Sequence, residues 1–337
     1  MKQYDSAALT LHPKRSPGAA LVVSSLEVVD ERARQYAERD LAPRTLREYA
    51  KLFRDFAAWC GAHGLSPLPA SAATLTRYVT ERAASGVRPS SLQVLIAAVA
   101  REHANAGAVA PHDHPIFQRV WSGIRREHRV APRRVAPAEV DVLRRMVDTL
   151  PRDTTRGLRN RAMLVLGFGC AFRRSELVSL DVGDVAFQPR GRGVIITLRS
   201  SKTDQEGAGA TIGLPAGRNA DTCPVRVLRA WLAGAGGRKD GPLFCSVDKH
   251  GKIRGRRLHG HDVAALVKRA AGDAGLDPAA YSGHSLRAGL ATTAAKSGKD
   301  DRRIMAQGRW TSRATLDRYV REARLLDDDN AAAGIGL

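Results

Sequence analysis

The chain has 337 residues, 43% of them hydrophobic, which is enough for one or two domains with real cores. Its 54 Lys and Arg against 34 Asp and Glu give a formal net charge of +20, pointing to a polyanionic partner: nucleic acid first, an anionic membrane surface second. No apolar run approaches the ~20 residues needed to span a bilayer, no secretory-signal pattern opens the chain, and the cysteines show no CxxC spacing, so reduced thiols in a cytoplasmic protein are expected.

Residues 1–25 mix Pro, Gly, Ser and Lys without periodicity and read as a mobile arm. Residues 26–128 read as a helical domain. A first helix is expected over 26–39. Pro43 and Thr45 open a second, with Leu46, Tyr49, Leu52, Phe53, Phe56 and Trp59 at helical spacing on its apolar face, ended by Gly61 and Gly64. Ser71 caps a third helix carrying Leu75, Tyr78 and Val79. Ser90 or Ser91 caps a fourth carrying Leu92, Leu95, Ala98 and Val99. A short piece with Ile116, Val120, Trp121 and Ile124 completes the bundle. Arg44, Arg47, Lys51, Arg54, Arg77 and Arg82 fall on the polar faces; they are either a solvated surface or contacts to phosphates. The basic segment around 129–137, with Arg133 and Arg134 and broken by Pro132 and Pro137, reads as an inter-domain linker.

A second domain is expected over 138–323. Helices are expected over 138–149 and 158–169, the latter largely apolar. Arg173 follows at a helix start, with Glu176 three residues on. VIITL (194–198) and ATIGL (210–214) read as strands flanking a polar loop that carries Lys202. Asp221 is expected to cap a helix with Val225, Leu228, Trp231 and Leu232, and another helix to span 260–274. In GHSLRAG, His284 and Arg287 share the face of a helix start, where free N–H groups and the dipole favour an anion. Tyr319 is expected on the next helix, beside Leu316 and Val320. A phenol, with a pKa near 10, attacks a phosphorus only beside strong positive charge or a base. The tail, 324–337, runs from an acidic stretch to an apolar one and is either disordered or docked on a neighbouring subunit.

Taken together, AFRRSEL with Arg173 and Glu176, the loop Lys202, GHSLRAG with His284 and Arg287, and GRWTSRATLDRY with Trp310 and Tyr319 resemble, in order and spacing, the boxes of the tyrosine recombinases, the phage-integrase family. Trp310 stands where most members carry a second histidine. The resemblance implies a mainly α fold with a small β-sheet: a helical core-binding domain plus a mixed α/β catalytic domain, closed on DNA as a C-shaped clamp. It implies that Tyr319 forms a 3′-phosphotyrosyl bond, Arg173 and Arg287 grip the non-bridging oxygens, and His284 acts as acid/base. It further implies that Lys202 protonates the leaving 5′-oxygen, Trp310 packs and hydrogen-bonds at the phosphate, and Glu176 supports the site. No metal or ATP is expected, because the cations stabilise the developing charge and the covalent bond conserves the phosphodiester energy. The implied partners are a duplex recombination site, a homotetramer on two duplexes and accessory DNA-bending proteins, with no membrane. Two other readings remain open at this level: a type IB topoisomerase, which shares the constellation, and a catalytically inactive DNA-binding protein.

Overall fold

The computed structural model describes residues 25–37, 40–129, 135–199 and 209–325. Residues 1–24 of the expected arm, Arg133 and Arg134 of the linker, Lys202 and residues 326–337 of the tail lie outside the described residues. The chain divides into two units, Met1–Pro132 and Arg133–Leu337.

The first unit is helical: α1 (Ser25–Ala37), α2 (Pro43–Ala62), α3 (Ala72–Ala84), α4 (Pro89–Asn105) and α5 (Pro115–Glu127). Proline opens α2, α4 and α5, where its missing N–H costs nothing and its fixed φ suits the helix. The Ser71 hydroxyl accepts from Thr74 N–H and caps α3 as expected. Ser90 and Ser91 do not cap α4. Pro89 already occupies its first turn, so the N-cap falls to Arg88 and both serines lie inside the helix. Phe56, Leu75, Tyr78, Leu92, Phe117 and Trp121 form the core. Ile116 stays out of it, 59% exposed, because the α5 stripe begins at Phe117. Arg44, Arg47, Lys51, Arg54, Arg77 and Arg82 are all exposed.

The second unit holds α6 (Val140–Asp148), α7 (Thr155–Gly169) and α8 (Arg174–Ser179), then β1 (Val185–Phe187), β2 (Gly193–Leu198) and β3 (Ala210–Pro215). These strands form an antiparallel sheet in the order β1-β2-β3, with Ile196 opposite Val185 on one side and Ile212 on the other. Val194, Ile196 and Leu198 turn inward, as a period of two requires. Next come α9 (Pro224–Gly234), an unanticipated hairpin of β4 (Cys245–Val247) and β5 (Ile253–Arg257), and α10 (Gly260–Asp273). The unit ends in α11 (Gly283–Lys296), α12 (Asp301–Gly308) and α13 (Arg313–Val320). Asp221 does not cap α9, whose N-cap is Cys223; it accepts instead from buried Arg161 at 2.7 Å and from Arg152 at 3.0 Å. Tyr319 does not lie on the helix after α11 either, since α12 intervenes.

α7 and α11 are the buried spine of this unit. Gly289 in α11 faces the backbone of Ala138, where any Cβ would collide with the carbonyl, so glycine permits the close approach. All four cysteines are buried and free. Among the described residues, no helix is long and apolar enough to cross a membrane.

Candidate active site

Two helix starts and one left-handed turn converge. At the first, Arg173 precedes α8 and its backbone N–H donates to Glu176 Oε2 at 2.9 Å. Its Nη1 donates to Glu176 Oε1 at 2.6 Å. Glu176 is 3% exposed. Burial opposes its charge, but the Arg173 N–H, the Arg173 guanidinium and the nearby Arg309 outweigh burial and hold the carboxyl below the usual carboxylate range. A buried carboxylate survives only when paired in this way.

The second start is α11, where the Ser282 hydroxyl accepts from His284 N–H. His284 remains at the surface. Arg287, one turn on, is 2% exposed and donates from Nη1 to the Ala171 carbonyl at 2.6 Å. Its Cζ lies 4.1 Å from the centre of the Trp310 ring, a cation–π stack. Burial, then repulsion from Arg173, brings the Arg287 guanidinium down to about 10, still fully charged near neutrality. Two guanidiniums that repel each other across a partly dry site are what an anion would reconcile.

Tyr319 completes the group. Its hydroxyl lies 2.7 Å from His284 Nε2, and its ring centre is 5.6 Å from that of His284 and 5.7 Å from that of Trp310. Leu316 and Val320 anchor α13 in an apolar cluster with Trp310 and Ala291. Thr292 Oγ1 donates to the Tyr319 carbonyl at 3.0 Å and fixes α13 against α11. Desolvation pulls the His284 imidazole below its ordinary value near 6.5, and Arg287, Arg173 and Arg174 push it further the same way. The ring is therefore neutral near pH 7. With its proton on Nδ1, Nε2 accepts from the phenol.

Trp310 Nε1 is buried and has no hydrogen-bond partner among the described residues. Its ring packs directly over Gly308, where a Cβ would enter the six-membered ring. The structure thus brings Arg173, Glu176, His284, Arg287, Trp310 and Tyr319 into one site.

Two features went unread in the sequence. Arg309 donates to Glu176 Oε2 at 2.9 Å from a left-handed backbone, φ 57. Its only local signal is its place between Gly308 and Trp310. A second basic group lies between α7, the β4–β5 hairpin and α10. There Arg156, Arg159, Arg256 and Arg269 line a cavity with one carboxylate, Asp262. Arg159 donates to the Cys245 carbonyl and to Asn160; burial and then Arg156 draw its basicity down.

The family model for the phage integrases matches residues 137–325. The chain belongs to the phage integrase family. Among relatives, it is 34% identical to the integrase/recombinase xerD homolog of Selenomonas ruminantium over 91% of this chain and 90% of that one. It is 26% identical to recombinase cre of Escherichia phage P1 over 97% of both chains. Among solved structures, a Tn1549 transposon integrase in complex with transposon right-end DNA shares the fold, with a TM-score of 0.60, 14% identity, and coverage of 89% of this chain and 98% of that one.

Proposed function

We propose that the protein is a site-specific DNA recombinase that cuts and rejoins strands through a 3′-phosphotyrosyl intermediate. The observation that carries the reading is the 2.7 Å contact between the Tyr319 hydroxyl and His284 Nε2, beside the buried guanidinium of Arg287. The Tyr319 oxygen attacks the phosphorus as its proton passes to His284. The bond from phosphorus to the 5′-oxygen breaks, and Lys202 supplies the proton to that oxygen. Arg173 and Arg287 stabilise the charge that develops on the non-bridging oxygens, and the free Trp310 Nε1–H donates to one of them. Attack by a 5′-hydroxyl from another strand reverses these steps and completes the exchange. Arg44, Arg47, Lys51, Arg77, Arg82, Arg133 and Arg134 hold the duplex through its phosphates.

The working form in this reading is a homotetramer on two duplexes, in the cytoplasm with its DNA. An apolar cavity of about 440 Å³ supports it, lined by Val140, Leu143, Phe168, Leu290 and Ile304 with Lys299 and Arg303 among its walls. The tail of a neighbouring subunit, acidic at 327–329 and ending in Ile335 and Leu337, has the matching chemistry.

The test is capture of covalent protein–DNA adducts from cells expressing the chain, followed by sequencing of the attached ends. Adducts should gather at one recurring sequence and vanish in Tyr319→Phe while that variant still binds DNA. Adducts that persist in Tyr319→Phe would remove the nucleophile. Complexes on the recovered sequence should size as four chains on two duplexes; a monomer that merely relaxes plasmids would return the topoisomerase reading.

A further inference from the structure

Arg309 is held unusually firmly for a residue in a surface-facing turn. It closes α12 with φ 57 and ψ 47, a left-handed conformation that side chains beyond glycine disfavour. Its guanidinium is nonetheless only 13% exposed. Nη1 donates to the Cys170 carbonyl at 3.0 Å and the Gln307 carbonyl at 3.2 Å, and Nη2 donates to Glu176 Oε2 at 2.9 Å. Cζ sits 5.2 Å from the centre of the Phe172 ring. The guanidinium therefore bridges the turn before Trp310 to the turn before Arg173.

Charge makes this bridge more than a strut. Glu176 is the common partner of Arg173, at 2.6 Å, and Arg309, at 2.9 Å. Arg173 and Glu176 alone would cancel, and in a partly dry site a cancelled guanidinium attracts a phosphate weakly. With Arg309 present, the trio carries one net positive unit. Arg309 also holds the carboxylate at Oε2 while the Arg173 guanidinium holds Oε1, so Glu176 aims Arg173 without claiming its whole charge.

We propose that Arg309 is a positioning residue of the cleavage site, supplying the counter-charge for Glu176 so that Arg173 stays net positive toward the scissile phosphate. The assignment rests on the strand-cleavage reading above. A purely structural role, capping α12 and closing the turn, is the competing account. Glycine keeps the left-handed turn while removing the whole side chain, and lysine restores the charge without the planar fork, so the two variants together separate the accounts.

The experiment uses the full chain and a nicked duplex of the sequence recovered by adduct capture, under single-turnover conditions with saturating DNA. Arg309→Gly should slow adduct formation about tenfold or more, as loss of a preorganised charge does, with the DNA dissociation constant within about threefold. Arg309→Lys, which keeps the charge, should recover most of the rate. In a double-mutant cycle, Glu176→Gln combined with Arg309→Gly should be no slower than Glu176→Gln alone, since no carboxylate is left to neutralise. Arg309→Gly cleaving within about twofold of the unaltered chain would overturn the proposal, as would independent, multiplying losses in the cycle. A lysine variant as slow as glycine would do the same. No adduct from the unaltered chain, on any captured sequence, would instead sink the strand-cleavage reading, and this assignment with it.

Discussion

The arginines singled out in the two units sit in opposite settings. In the helical first unit, Arg44, Arg47, Arg54, Arg77 and Arg82 stand in solvent on helix faces, while the core beneath is built from Phe56, Leu75, Leu92 and Trp121. In the second unit Arg287 is 2% exposed and Arg161 4%. Buried Arg287 and Arg161 donate to backbone carbonyls at Ala171 and Val147, so their charges are pinned at fixed points. An exposed cation is already solvated and meets a phosphate after shedding counterions, which yields affinity with little geometric demand. A buried cation is desolvated during folding. It is already oriented when the phosphate arrives, which is the condition for stabilising a transition state rather than merely binding. In the proposed function the same side chain is a handle in the first unit and, at Arg287, a catalytic fixture in the second, and substitutions should separate the two.

The largest separation should come at Arg287. Arg287→Lys keeps a positive charge but loses the planar fork that bonds Ala171, stacks on Trp310 and, in the proposed function, grips the non-bridging oxygens. Adduct formation should fall by roughly 10²–10³-fold with DNA binding little changed. The Ala171 carbonyl, left without its donor, should cost about 1–3 kcal/mol of stability. A lysine variant that cleaves at near-normal rate would mean that Arg287 is a handle like those of the first unit.

A smaller, continuous effect should follow pH. His284 has a folded pKa below the ordinary value near 6.5, so its neutral form is the one the fold favours. Above pH 6.5 the imidazole is neutral in folded and unfolded chain alike, and its contribution to stability is fully present. As pH falls from there toward the folded pKa, the unfolded chain takes up a proton first and that contribution is lost. Adduct formation should therefore hold from neutral pH to somewhat below 6.5 and then drop, as the imidazolium can no longer take the phenol proton. A pH–rate profile on the captured sequence checks this; an acid limb unchanged in His284→Gln would assign it to another group.

The same contrast explains what the sequence could reveal. Tyr319, His284 and Arg287 were legible because their chemistry demands particular residue types. Most of the first unit's core was legible from period, but Ile116, expected in it, is exposed and Phe117, not named, is buried. Arg309 was not, because a left-handed turn ordinarily announces itself by glycine and this one hides behind an arginine. The β4–β5 hairpin was missed because IRGRR is nearly all cation, with few apolar residues to show a period of two. Asp221 looked like a cap because it precedes an apolar run, but Pro224 fixes the helix start and buried Arg161 claims the carboxylate. For Arg309 and Asp221 a partner distant in sequence, Glu176 or Arg161, which local pattern does not encode, made the decision.

The smallest effect belongs to the handles. Arg47→Ala should leave stability within about 0.5 kcal/mol, because its side chain is exposed and no carboxylate among the described residues pairs with it. It should weaken binding to the captured duplex and to unrelated duplexes alike, and lower the slope of log affinity against log salt by about one. Lys51 should respond less, because Asp55 already accepts from its ammonium at 2.9 Å and competes with a phosphate. A slope unchanged by Arg47→Ala, measured at several salt concentrations, would place this arginine on a solvated face away from DNA. A loss confined to the captured sequence would make it a reader of bases, a geometric duty that the contrast between the units reserves for better-held side chains.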